Sequence, residues 1–151
     1  MQVLQHKKSG RWVLKTPYHQ LGLPAILTNH PTAIIVQTHR APMKIIASGC
    51  SFSKVVRTPS SHLNDNHIIG RDWMDMLQIY SRAFEKNRPA LEAKHPGQFI
   101  DIQHDQFIQN PWPDLEKIYA AAGASISEEG KAHMQAWLDN NQQGKHGKHE
   151  Y

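Results

Sequence analysis

The chain has 151 residues, 39% of them hydrophobic and 20% charged, with a formal charge of +4. That length suits one domain around one core, no apolar run approaches the ~18 residues of a membrane helix, and a single cysteine, Cys50, excludes an internal disulfide. Early lysines without an apolar stretch behind them give no readable secretory signal, so a cytoplasmic setting is expected and the surplus of positive charge points to anionic partners.

In chain order, Arg11–Lys15 (RWVLK) predicts a short first strand. Thr16 can cap a helix and Pro17 can take its first turn, while Gly22 and Pro24 should break that helix before it restarts over Ala25–Asn29. Ala33–Thr38 (AIIVQT) is a continuous run rich in β-branched residues, the pattern of a parallel strand. Residues 11–38 thus read as a βαβ unit. Its crossover sets the two strands parallel and brings Lys15 and Arg40 to the carboxyl ends of neighbouring strands, on the sheet edge where ligands of open α/β sheets bind.

Pro42 suits a second helix start, with Met43, Ile46, Ala47 and Cys50 on a buried stripe and Lys44, Ser48 and Ser51 on a separate polar face. Residues 57–70 read as loop. Arg71–His95 predicts a long helix carrying Trp73, Met76, Leu77, Tyr80, Phe84 and Leu91, stopped by Pro96 and Gly97. Gln98–Ile102 predicts a third strand, the segment from Pro111 a helix closed by Gly123, and the segment after Ser127 a last helix capped by that serine. The expected architecture is one α/β domain, a parallel sheet flanked by helices, with a body over 1–139 and a basic, glycine-containing tail over 140–151.

An arginine at a strand end, just before a helix N-terminus, can hold a doubly charged oxyanion, because guanidinium fork and helix dipole both favour negative charge. Arg40 could equally pair with a carboxylate, leaving Ser48 merely exposed. Lys15 on the neighbouring strand tip would favour the ligand: two cations side by side repel unless an anion joins them. The 11 histidines are scattered. Only His146 and His149 approach a metal-ligand spacing, without a cysteine or carboxylate in register, and no metal is expected.

The stretch from Arg11 to Ser48, with "HDQFIQNP" and the closing "NNQQGKHGKHEY", resembles the sulfotransferases that use 3′-phosphoadenosine 5′-phosphosulfate, in the branch common in bacteria. The resemblance implies a three-layer fold of the P-loop type and transfer of a sulfuryl group from that nucleotide to a hydroxyl or amine. The acceptor would be a small molecule, glycan or peptide. It makes Arg40 and Ser48 the residues that hold the nucleotide's 3′-phosphate, with Lys145, His146 and Gly147 of the tail wrapping the same group. Lys15 matches the family lysine near the transferring group.

The cytosolic relatives place their histidine base where this chain has Pro17. His19 is the nearest candidate base, the alternative being that it lies on the outer face of the first helical turn. Two further positions depart from the family: Arg40-Ala41-Pro42 replaces Arg-Asp-Pro, and His104-Asp105-Gln106 replaces Tyr-Glu-Asp. The glycine-containing loop that cradles the 5′-phosphosulfate precedes the lysine strand in the family; "KKSGRW" reads instead as a turn, so the chain is expected to be a C-terminal part of such an enzyme. A competing expectation is a noncatalytic remnant that binds a 3′-phosphorylated nucleotide or another anion. Basic residues are not interleaved with aromatics, so nucleic acid is not an expected partner, and with no membrane-length apolar run neither is a membrane.

Overall fold

The computed structural model describes residues 10–59 and 65–142. In chain order it holds α1 (His19–Asn29), β1 (Ile35–His39), α2 (Pro42–Arg57), α3 (Asn66–Lys94), β2 (Phe99–Gln103), α4 (His104–Gln109), α5 (Trp112–Ala121) and α6 (Glu128–Asn140). β1 and β2 pair in parallel, from Ile35 opposite Phe99 to His39 opposite Gln103. Parallel neighbours need a long crossover, which α2 and α3 supply. Ile100 and Ile102 are buried at alternate positions of β2 and meet a core completed by Leu23 and Leu27 of α1 and by Ile69, Tyr80 and Phe84 of α3.

The helices begin and end as their sequences require. Pro42 occupies the first turn of α2, the Asp65 carboxylate caps α3 by accepting from the His67 N–H at 2.7 Å, and Ser127 caps α6 by accepting from the Gly130 N–H at 3.0 Å. α1 and α2 each pack on α3, which is their common partner. At the α2–α3 crossing Gly49 is buried beneath the Trp73 ring, whose Nε1 donates to Ser53 Oγ at 2.8 Å.

Four expectations are corrected. Arg11–Lys15 is not a strand: the sheet of the described residues contains β1 and β2 alone, and Val13 and Leu14 are 91% and 52% exposed. A strand exists only through its ladder, and this segment enters none; the parallel unit is built instead from β1, α2, α3 and β2. α1 is continuous through Gly22 and Pro24, because Leu23 and Leu27, one turn apart, bury against α3 and outweigh the backbone bond that Pro24 forgoes. Met43 is 76% exposed, so the buried stripe of α2 starts one turn later, and Gly49, not a large side chain, sits at its centre. Finally α3 begins at Asn66, inside the expected loop, and buries Ile69 in its first turn.

Candidate functional site

Both strands end on the same sheet edge, as parallel strands must. β1 delivers His39 and then Arg40 to the start of α2, and β2 delivers Gln103 to the start of α4. Between these ends lies an open cleft of about 360 Å³ lined by His39, Arg40 and Ala41 on one wall and Gln103, Asp105 and Gln106 on the other. Ala41, the residue before α2, offers no side-chain cap to the helix; Pro42 carries no N–H and the Lys44 N–H donates to the Ala41 carbonyl at 2.9 Å, so within the first turn it is the Met43 N–H that is left to another acceptor.

Arg40 is the residue whose environment is incomplete. Its Nε is the one buried side-chain nitrogen or oxygen without a hydrogen-bond partner among the described residues. A buried guanidinium N–H without an acceptor is costly, and Arg40 also lines the cleft, where the rest of its guanidinium can meet an oxyanion. The neighbouring cations are, by contrast, engaged. Arg88 of α3 forms a two-pronged pair with Asp101 of β2, Nη1 donating to Oδ1 at 2.6 Å and Nη2 to Oδ2, while its Nε donates to Glu92 at 3.2 Å. His39 Nε2 lies 2.6 Å from Asp101 Oδ1 and must be the donor, since the carboxylate accepts.

The Arg88 hydrogen bonds hold the Asp101 carboxyl far below the usual carboxylate range, assisted by His39 and opposed by partial burial. The same pair raises the Arg88 guanidinium still further. Arg88 is also stacked between the Phe84 and Phe99 rings, 5.3 Å from each centroid. The result is a half-buried tie between helix and sheet directly behind the cleft.

On the other wall, Asp105 Oδ2 accepts from Lys44 Nζ at 2.8 Å and Oδ1 from His104 Nδ1 at 3.1 Å, contacts that lower the Asp105 carboxyl, Lys44 more than His104. Lys44 belongs to the first turn of α2, so this pair spans the cleft's two sides.

Of the residues singled out in the sequence, Arg40 lines the cleft. Ser48 lies half-buried two turns into α2, on the face that begins with Ala41, but is not part of the lining. Lys15 is exposed in the segment before α1, and His19 is the half-buried first residue of α1; neither lines the cleft, so the expected shared edge of Lys15 and Arg40 is not formed by adjacent strands. Lys145, His146 and Gly147 lie outside the described residues. Sequence reasoning passed over His39, Asp101 and Arg88. The available signal was Asp101 between two buried isoleucines on β2, a charged residue on the opposite side of a strand that needed a partner.

Residues 1–128 match the sequence profile of the sulfotransferase family. The chain belongs to that family. Among solved structures, sulfotransferase STF9 from Mycobacterium avium superposes with a TM-score of 0.77 at 26% identity, over 94% of this chain and 36% of its own. Sulfotransferase STF1 from Mycobacterium tuberculosis H37Rv gives 0.64 at 31% identity, over 84% of this chain and 34% of its own. The chain therefore spans about a third of the length of these sulfotransferases. No curated protein matches it. These sulfotransferase structures fit an α/β fold with a small parallel sheet. No helix of the described residues is long and apolar enough to cross a membrane.

Proposed function

We propose that this chain forms the 3′-phosphate-reading part of a cytoplasmic sulfotransferase that takes its sulfuryl group from 3′-phosphoadenosine 5′-phosphosulfate and passes it to a hydroxyl or amine. The observation that carries the reading is Arg40: a buried, unsatisfied guanidinium nitrogen at the end of a parallel strand, beside an uncapped helix N-terminus and an open cleft. A dianionic phosphate meets both needs, accepting from the guanidinium and lying at the positive end of α2. Ser48 follows on the same helix face and supplies a hydroxyl donor once the phosphate lies along α2.

The remaining roles rest on the family pattern. Lys15 neutralises charge on the transferring group, and His19 takes the acceptor's proton; sulfuryl transfer is an in-line displacement between oxygens in which positioning and cations do most of the work. Lys145, His146 and Gly147 close over the phosphate. The three-layer P-loop arrangement belongs to this reading, β1 and β2 being two of its parallel strands.

Calorimetric titration of the full chain with adenosine 3′,5′-bisphosphate tests it. Arg40→Ala should weaken binding by at least about 1.5 kcal/mol, the effect of removing a charge-assisted hydrogen bond. An affinity unchanged by that substitution would remove Arg40 from the role and the reading with it.

A further inference from the structure

Among the described residues Asp105 is the only acidic one lining the cleft, which is otherwise furnished for an anion. A carboxylate in the wall of a phosphate site repels its ligand unless something neutralises it. Here both of its oxygens are occupied, Oδ2 by Lys44 and Oδ1 by His104. Lys44 stands three residues after Ala41 and four before Ser48, so all three share one face of α2, and it is placed to reach a group lying along that face. Its ion pair with Asp105 is open to water, the two side chains being 54% and 57% exposed, and a pair of this kind is weak enough to exchange partners without disturbing the fold.

Resting on the reading of the cleft as the 3′-phosphate site, we propose that Lys44 is a second cation for that phosphate and that Asp105 is its resident counter-ion, exchanged for the phosphate on binding. A dianion attracts the ammonium more strongly than a single carboxylate does, and the exchange places two cations, Arg40 and Lys44, on one phosphate. Asp105 thereby sets the affinity from the opposite wall: it holds Lys44 in position while the cleft is free and competes with the ligand for it.

The test is titration of the full chain with adenosine 3′,5′-bisphosphate and, in parallel, with adenosine 5′-monophosphate, which lacks the 3′ group. Lys44→Met should weaken the bisphosphate ~5-fold or more and change the monophosphate by less than about twofold; Lys44→Arg, which keeps the charge, should stay within about twofold for both. Asp105→Asn should tighten the bisphosphate ~3-fold in the native background and distinctly less in the Lys44→Met background. Equal weakening of both nucleotides by Lys44→Met, no weakening of either, or looser binding in Asp105→Asn would overturn the proposal. Arg40→Ala separates the two readings: if it weakens the bisphosphate while Lys44→Met does not, the ion-pair exchange alone fails, whereas indifference to both removes the phosphate site itself.

Discussion

Gly49→Ala should destabilise the protein by about 3 kcal/mol, at the upper end of what overpacking a core costs. A Cβ built on Gly49 would stand 2.4 Å from two atoms of the Trp73 ring and 2.7 Å from a third. The ring cannot bend away as a flexible side chain could, and its Nε1 is held by Ser53, so α2 and α3 themselves must separate. Gly70 provides the internal control on the same helix pair. Its Cβ would meet Cys50 Sγ at 3.8 Å, an ordinary contact, and alanine is the better helix former by ~1 kcal/mol, so Gly70→Ala should be neutral or stabilising. Urea or thermal unfolding followed by circular dichroism reads both; a tolerated Gly49→Ala would mean that the helices are not in close contact at this crossing.

The second large effect concerns the tie behind the cleft. Arg88→Met keeps the stem that lies between Phe84 and Phe99 but leaves Asp101 with His39 and Glu92 with no partner. Because Arg88 is 19% exposed and Asp101 40%, water compensates part of the loss, and a destabilisation of about 2 kcal/mol is expected, below that of a fully buried pair. The pH dependence follows from the lowered Asp101 carboxyl. A carboxyl whose folded value lies below its ordinary 3.8 contributes stability that is fully present above that value and is lost as pH falls further below it. Wild-type stability should therefore drop below about pH 4, and Asp101→Asn, less stable at neutral pH, should show a shallower drop over the same acid range. An identical acid profile in the two proteins would show that Asp101 is not the group responsible.

The elements that the sequence makes plain are those whose signals are local. Pro42 opens α2, Ser127 caps α6, Gly97 and Gly123 adopt positive φ after α3 and α5, and Ala33–Thr38 and Gln98–Ile102 fall within a residue or two of β1 and β2. What escapes is whatever depends on a distant partner. Arg11–Lys15 has strand composition, but composition cannot supply a ladder, and the neighbour that β1 takes is β2, more than sixty residues further on. Pro24 looks like a break because the bond it lacks is local while the burial of Leu23 and Leu27 against α3 is not.

The site divides along the same line. Arg40 and its setting at a strand end are legible, since strand, arginine and helix-starting proline are consecutive. His39, Asp101 and Arg88 are scattered over three elements and meet only once the chain is folded. Lys44 is visible as a polar-face residue, yet its engagement with Asp105 across 61 positions is a tertiary fact.

α3 is 29 residues long, touches α1 along one stretch and α2 along another, and meets the sheet both through its buried core side chains and through the Arg88–Asp101 pair. Backbone amides around Tyr80 and Phe84, the buried side chains in the middle of α3, should be among the last to trade hydrogen for deuterium, whereas α6, which has no wholly buried residue and reaches α5 through Lys131 and Glu116, should trade early. The helix thus acts as a spine, and a protein lacking its grip on α2 would come apart from the cleft outward, because Arg40 sits at the junction of β1 and the helix set free.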